Sequence, residues 1–132
     1  GKEVYFYKKA QLFISDIFQA FREEGIGHFH NAQELTALAD YRIPQVLRNL
    51  NILEYSKELA EKVNKGVLIS KGSQEEIELR ASMIWVVQLI YEMVKDREQQ
   101  LLPIGVNDHL WLVRRKKFSK DEIHHKTITT AY

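Results

Sequence analysis

Apolar residues recur every three or four positions along much of this chain, which is the period of an amphipathic helix. The first run covers Val4–Arg22, and its apolar residues form one wide stripe: Leu12, Phe13, Ile14, Ile17, Phe18 and Phe21. Gly25 and Gly27 then interrupt the pattern within residues 24–31. The sequence therefore predicts a first helix over Val4–Arg22, followed by a loop.

The next two apolar runs flank Pro44. Residues 34–39 are amphipathic, and Asn31 is placed to cap them. Proline disfavours helical dihedrals in the residue before it, yet it suits the first position of a helix. We therefore expect a second helix up to residue 39, a bend at residues 40–42, and a third helix over Pro44–Leu50.

A fourth helix is predicted over Lys57–Lys65, with Ser56 as its cap and Gly66 at its end. Residues 67–70, Val-Leu-Ile-Ser, are too short for a convincing strand and lack a visible partner. The tail, residues 121–132, has no helical period, and its threonines favour extended backbone, so we expect an ordered strap. The predicted architecture is all-α.

The fifth helix has the clearest start in the chain. Ser73 and Glu76 form a capping box, and the helix is expected to run to about Lys95. From Met83 onward it is apolar nearly all round, which predicts a central buried helix.

A last helix follows a loop that Pro103 and Gly105 indicate. Asn107 or Asp108 opens this helix, and the apolar residues after them carry it to Lys116. The chain is therefore predicted to hold six helices, including the short second one.

Composition narrows the class of protein. A chain of 132 residues with 45% hydrophobic and 28% charged residues suits one globular domain. The formal charge of +1 gives no strong field to attract nucleic acid or anionic lipid. The absence of cysteine excludes disulfides and thiolate metal sites and fits a reducing compartment, so we expect a cytoplasmic protein. The longest apolar run, Met83–Val94, is too short to span a membrane.

Residues 39–50 read ADYRIPQVLRNL. They resemble the signature of the queuosine salvage family, N-glycosylases that release the base queuine from queuosine 5′-phosphate. Other pieces agree with the family in the same order: residues 6–11, Tyr55-Ser56, Gly72-Ser73, residues 76–81, Trp111 and residues 124–132. The resemblance spans nearly the whole chain. It implies that residues 1–132 form a single helical domain, the C-terminal part of a longer family chain, with a helix–bend–helix core like that of the helical DNA glycosylases.

Asp40 carries the chemistry that this resemblance implies. Cleavage of an N-glycosidic bond passes through a sugar cation resembling an oxocarbenium ion, and a nearby carboxylate stabilises that cation or orients water. Queuine is a 7-deazaguanine, so it lacks the ring nitrogen that hydrolases commonly protonate in a purine leaving group. The resemblance favours catalysis by Asp40, whereas spacing alone favours a helix-terminal aspartate that bonds to backbone or pairs with Arg42.

Five further residues complete the candidate site. The resemblance places Lys8 in the active site beside the catalytic carboxylate; otherwise it is a solvated lysine at a helix start. Tyr41 and Arg42 are candidates for substrate binding, against the alternatives of packing and a structural ion pair. His124 and His125 are candidates because the closing segment resembles that of the family and is expected to be tied down near the site.

Other acidic and basic residues have simpler expected roles. We expect Glu76, Glu78 and Arg80 to serve as a cap, an exposed residue and an ion-pair partner. No cofactor or metal is expected, because the histidines share no ligand spacing with carboxylates. The implied partner is a small nucleotide, queuosine 5′-phosphate, and the N-terminal half of the family fold is a second one. Neither a membrane nor direct contact with nucleic acid is expected.

Two other functions remain open at this point. A helix–hairpin–helix module could hold nucleic-acid phosphates through backbone amides, although the near-neutral charge and the lack of a continuous basic stripe count against it. A non-catalytic helical scaffold is the third hypothesis.

Overall fold

The computed structural model describes residues 3–21, 24–98, 100–115, 118 and 121–132. Over these ranges the chain forms five α-helices and no sheet: α1 (Lys8–Ala20), α2 (Arg42–Asn49), α3 (Lys57–Asn64), α4 (Gln74–Val94) and α5 (Pro103–Val113). Two 3₁₀ turns, Gly25–Gly27 and Ala32–Glu34, lie between α1 and α2. The all-α prediction is confirmed, whereas the likeness to helical DNA glycosylases stays a prediction.

Helices α2, α4 and α5 enclose the main hydrophobic core. Each of these helices packs against the other two. The central side chains are buried: Ile43, Val46, Leu47, Met83, Val87, Val106 and Leu110. Burial stabilises the fold by roughly 25 cal/mol per Å² of apolar surface, so this three-helix contact is its principal support.

Serine caps begin α3 and α4 as predicted. The Ser56 hydroxyl accepts a hydrogen bond from the backbone N–H of Leu59 (3.2 Å). The Ser73 hydroxyl accepts one from the backbone N–H of Glu76, also at 3.2 Å. Gly66 follows α3 with a φ of +69°, a conformation that costs glycine little and ends the helix.

The segment before the bend differs from the predicted second helix. Residues 32–34 form only a 3₁₀ turn, Asn31 caps no helix with its side chain, and residues 35–40 are irregular. The backbone amides of this segment donate to α1 and α5 instead: Thr36 N to Gln11 Oε1 (2.7 Å) and Leu38 N to Asn107 Oδ1 (3.2 Å). A helix this short is marginal alone, so tertiary hydrogen bonds override it. The bend therefore joins an irregular segment to α2, and the helix–bend–helix core is corrected accordingly.

Both prolines lie in first turns of helices. Helix α2 begins at Arg42, so Pro44 is its third residue rather than its first. Pro103 is the first residue of α5, whereas the sequence had placed it in a loop before a helix starting at residue 107 or 108. The first N–H groups of a helix have no intrahelical acceptor, so proline is tolerated there. The predicted end of this helix, Lys116, lies outside the described residues.

Helix α1 is shorter than predicted. Tyr7 adopts a left-handed conformation with a φ of +48°, so residues 3–7 are not helical and the helix begins at Lys8. Its predicted end, Arg22, lies outside the described residues. The apolar stripe is only partly covered, since Phe13 is 64% exposed.

Helix α4 is buried on one face rather than all round. Met83 and Val87 are fully buried, while Trp85, Leu89 and Met93 lie on an exposed stripe at four-residue spacing. An apolar composition does not reveal how many neighbours a helix has, and here the neighbours cover one side only.

Residues 121–132, the C-terminal strap, are ordered and non-helical as predicted. The guanidinium of Arg48 on α2 forms an ion pair with Glu122 (2.6 Å). Further along, the backbone N–H of Ile69 donates to the carbonyl of Lys126 (2.8 Å). The short apolar segment containing Ile69 therefore has a partner, contrary to expectation, although the pairing is a single bridge.

Candidate active site

The carboxylate of Asp40 lies at the N-terminal end of α2. Its Oδ1 accepts hydrogen bonds from the backbone N–H groups of Arg42 (2.8 Å) and Ile43 (3.0 Å), so it caps the helix. Its Oδ2 enters no hydrogen bond with any of the described residues. The Arg42 guanidinium donates to Gln45 instead (3.2 Å), so the structure shows a backbone cap in place of the suggested Asp40–Arg42 ion pair.

Aromatic rings gather around Tyr41, the residue after Asp40. The Tyr41 ring lies 4.8 Å from the His124 ring and 5.9 Å from the Tyr132 ring, centroid to centroid. The Arg42 guanidinium lies 5.0 Å from the Tyr41 centroid. The strap therefore brings His124 to the bend, and three of the predicted binding residues form one half-buried patch.

Below this patch lies a buried polar chain. Tyr132 has one hydroxyl proton, which it donates to Glu76 Oε1 (2.9 Å), so the hydroxyl accepts from His125 Nε2–H at 3.0 Å. His125 is therefore the Nε2-protonated tautomer, and it is only 1% exposed. Burial lowers the pKa of His125 to about 4. Burial, with the Glu76 charge adding to it, raises the pKa of Tyr132, so this chain is neutral at both groups near pH 7.

Arg80 joins this chain to the bend. Its side chain is 7% exposed, and it pairs with Glu76, one turn earlier on α4, at 3.2 Å. The same guanidinium donates to two backbone carbonyls, those of Ala39 (3.0 Å) and Ala131 (3.4 Å). Its carbon lies 4.4 Å from the centroid of the Phe6 ring. Charge, hydrogen bonds and ring contact together satisfy a cation that would otherwise be costly to bury.

A cavity of about 640 Å³ is lined in part by Arg80. Phe6, Tyr7, Lys8 and Glu76 are also among the residues that line it. Its volume lies within the range of roughly 300–1,000 Å³ that is usual for small-molecule sites. Asp40 is not among the lining residues, whereas Arg80 lines the cavity and also donates to the carbonyl of Ala39, the residue before Asp40.

The sequence identified part of this arrangement. It predicted Arg80 as an ion-pair partner, which is confirmed, and Glu76 as a cap. Glu76 Oε2 does accept from a backbone N–H before α4, but from Gly72 (3.1 Å) rather than from the cap residue Ser73. It missed that Arg80 reaches the bend and the strap. The available signal was an acid and a base four residues apart on a helix that turns apolar immediately afterwards.

Within the described ranges, no group of three or more histidine, aspartate or glutamate side chains lies close enough to hold a metal ion. Cysteine is absent from the sequence and supplies no thiolate. Among the helices of the described part, none combines the length and apolar character that a membrane crossing requires.

Comparison with known proteins gives a consistent result. The family model described as queuosine salvage protein matches residues 1–132. A queuosine 5′-phosphate N-glycosylase/hydrolase of Dictyostelium discoideum is 38% identical over 132 residues, covering 100% of this chain and 41% of that protein. The Sphaerobacter thermophilus protein of the same name is 37% identical over 132 residues, with coverage of 100% and 41%. The Mus musculus protein is 38% identical over 122 residues, 84% of this chain and 35% of that protein. The chain thus spans less than half the length of these relatives.

Proposed function

This chain belongs to the queuosine salvage protein family, and from that membership we propose that it takes part in hydrolysis of the N-glycosidic bond of queuosine 5′-phosphate. The products are queuine and ribose 5-phosphate. The relatives named above are queuosine 5′-phosphate N-glycosylase/hydrolases, which favours this activity over a nucleic-acid-binding module or a scaffold.

The observation that carries the proposal is that the two carboxylate oxygens of Asp40 have different surroundings. Helix α2 holds Oδ1 through two backbone amides, while Oδ2 is without a hydrogen bond to the described residues. A carboxylate fixed on one side and open on the other is already oriented when charge develops on the sugar. In this proposal Oδ2 stabilises the oxocarbenium-like cation or orients the attacking water.

The remaining candidates surround the substrate in this proposal. Tyr41, Arg42 and His124 form the half-buried aromatic and cationic patch next to Asp40. Lys8 lines the cavity, which Asp40 does not, so in this proposal it meets the phosphate of a substrate that extends from the bend into that cavity. His125 is buried, so it supports the patch from below through Tyr132 rather than by touching the substrate.

The test is release of free queuine from queuosine 5′-phosphate, followed by mass spectrometry. It is run on this chain and on a chimera that adds the remaining sequence of the Dictyostelium discoideum relative, because these 132 residues equal 41% of that protein. Release by either preparation supports the proposal. Absence of queuine from both overturns it.

Asp40→Asn then tests the catalytic assignment. The variant keeps the shape and the capping oxygen but removes the charge, so kcat should fall about 10²–10³-fold while KM changes little. Asp16→Asn is the matched control, because Asp16 is an exposed residue of α1 and does not line the cavity. A wild-type rate in Asp40→Asn would assign Asp40 to the helix cap alone.

A further inference from the structure

Segments that are far apart in the sequence meet at the guanidinium of Arg80. Phe6 comes before α1, Ala39 comes directly before the bend, Glu76 belongs to α4, and Ala131 belongs to the strap. Three nitrogen atoms of one side chain thus each hold a different element of the fold. We propose that Arg80 is a positioning residue that sets the orientation of Asp40.

Burying the charge of Arg80 costs free energy. Apolar residues of similar volume often join elements as well as or better than a buried ion pair, so burial alone does not explain an arginine here. What only arginine offers is a planar, rigid fork of N–H donors that fixes several acceptors at set angles. Nε–H is directed at the Ala39 carbonyl (3.0 Å) and Nη2 at the Ala131 carbonyl (3.4 Å), while Glu76 neutralises the charge.

The contact with Ala39 acts directly on Asp40. The carbonyl of Ala39 and the N–H of Asp40 belong to one planar peptide unit, so fixing the carbonyl oxygen fixes the direction in which Asp40 leaves the chain. The Asp40 N–H is also held by the carbonyl of Leu38 (2.6 Å). At the end of the Asp40 side chain, Oδ1 accepts hydrogen bonds from the first backbone amides of α2. Backbone and carboxylate are therefore anchored separately, and Arg80 supplies the backbone anchor.

The strap also helps to position the Arg80 guanidinium. Tyr132 donates to the Glu76 oxygen that pairs with Arg80, and its ring centroid lies 4.8 Å from the Arg80 guanidinium carbon. Docking of the strap therefore fixes the guanidinium, and the guanidinium fixes the bend. This inference rests on the proposed function only in giving Asp40 a catalytic role; the contacts that Arg80 makes with Ala39, Glu76 and Ala131 are a property of the fold.

The first experiment tests whether Arg80 holds the bend in place, and it does not require an active enzyme. In Arg80→Lys the charge remains, but one ammonium group cannot hold both carbonyls in a fixed fork. Amide hydrogen exchange, followed by NMR, should speed up about tenfold or more at Arg42 and Ile43, whose N–H groups bond to Asp40. The amide of Val87, in the core of α4, should keep its wild-type rate.

Arg48→Lys is the matched control. Arg48 is also a nearly buried arginine that holds the strap, through Glu122 and the Ile123 carbonyl, but it does not bond to the bend. Lysine can still pair with Glu122, and the contacts of Tyr132 are untouched, so this substitution should leave exchange at Arg42 and Ile43 unchanged. If Arg80→Lys does not fold, the double variant Glu76→Gln/Arg80→Met is measured in its place, because it removes both charges together. Unchanged exchange at both amides, in whichever variant folds, overturns the proposal.

The second experiment uses the preparation that releases queuine. Arg80→Lys should lower kcat by about 10–100-fold with little change in KM, because a displacement of about 1 Å at a reacting group can cost that much. Arg48→Lys should retain the wild-type kcat. A raised KM with unchanged kcat would show that Arg80 binds substrate instead. If no preparation releases queuine, the proposed function fails, while the exchange rates still decide whether Arg80 orients Asp40.

Discussion

At the scale of single residues, Asp40 combines a structural and a chemical capacity in one carboxylate. The oxygen that caps α2 is engaged with two backbone amides, and the other is not engaged by the described residues. Capping explains why an acidic residue is tolerated beside the buried Ala39 and Ile43. It also means that stability and activity respond to different substitutions at this position.

We expect Asp40→Ala to lower the free energy of unfolding by about 1 kcal/mol, the usual cost of losing a helix cap. Asp40→Asn should stay within a few tenths of a kcal/mol of wild type, because the amide oxygen is an equally good cap. Urea denaturation of both variants measures the difference. Equal losses in the two would show that the negative charge, and not the cap, stabilises the bend.

The buried His125 makes stability depend on pH. Its folded-state pKa of about 4 is below the ordinary value of 6.5, so the unfolded chain binds more protons between these two values. Stability is therefore fully present above about pH 6.5 and falls as the pH drops toward 4. The maximum loss is on the order of 3 kcal/mol.

Urea denaturation between pH 7.5 and pH 4.5 is the check on this expectation. His125→Gln should flatten the pH dependence in this window, because it removes the titrating group. The exposed His30 is the control residue, and His30→Gln should leave the slope as in wild type. A wild-type slope in His125→Gln would remove His125 as its source.

At the scale of elements, α4 organises the molecule through one face. That face contributes Met83 and Val87 to the core, and Glu76 and Arg80 to the polar chain near its start. The opposite face is apolar but exposed. Helix α4 is thus central by its contacts with α2 and α5, although it is not enclosed.

Two methionines on α4 test this division. Met83 is fully buried and Met93 is 79% exposed, so the same substitution should have different costs. We expect Met83→Ala to lower the free energy of unfolding by about 2–5 kcal/mol, through lost burial and a residual cavity. Met93→Ala should change it by less than about 0.5 kcal/mol. Chemical denaturation of both gives the comparison, and similar losses would mean that the exposed stripe is covered in solution.

At the scale of the whole molecule, the strap bonds to three separate parts of the chain, two of which, α2 and α4, also pack against each other in the core. It bonds to α2 through Glu122, to the segment after α3 through Lys126, and to α4 through Tyr132. These contacts satisfy groups that would otherwise be buried without partners. The strap therefore contributes to stability as well as to the candidate site.

Deleting residues 121–132 should lower the free energy of unfolding by more than about 3 kcal/mol, because Arg48 would lose its nearly buried ion-pair partner Glu122. Thermal and urea denaturation measure this loss. Ile128→Ala is the control within the strap, since Ile128 is 80% exposed and should cost little. A truncated chain as stable as wild type would show that the strap is an appendage.

The family resemblance, more than the local pattern, predicted which residues make up the candidate site. The resemblance singled out Asp40, Tyr41, Arg42 and His124, and the structure brings them together at one corner. It also places Lys8 in the lining of a cavity, but the sequence could not show that Arg80 lines this cavity as well while Asp40 does not. Their catalytic and binding roles stay predictions.

The sequence alone determined the features that depend on contacts between residues a few positions apart. The all-α class, the serine caps of α3 and α4 and the non-helical strap all follow from periodicity and local hydrogen bonds. Only the tertiary structure decided that residues 35–40 are irregular, that one face of α4 stays exposed, and that Arg80 reaches Ala39 and Ala131. Each of these depends on partners tens of residues away, and local periodicity carries no information about such partners.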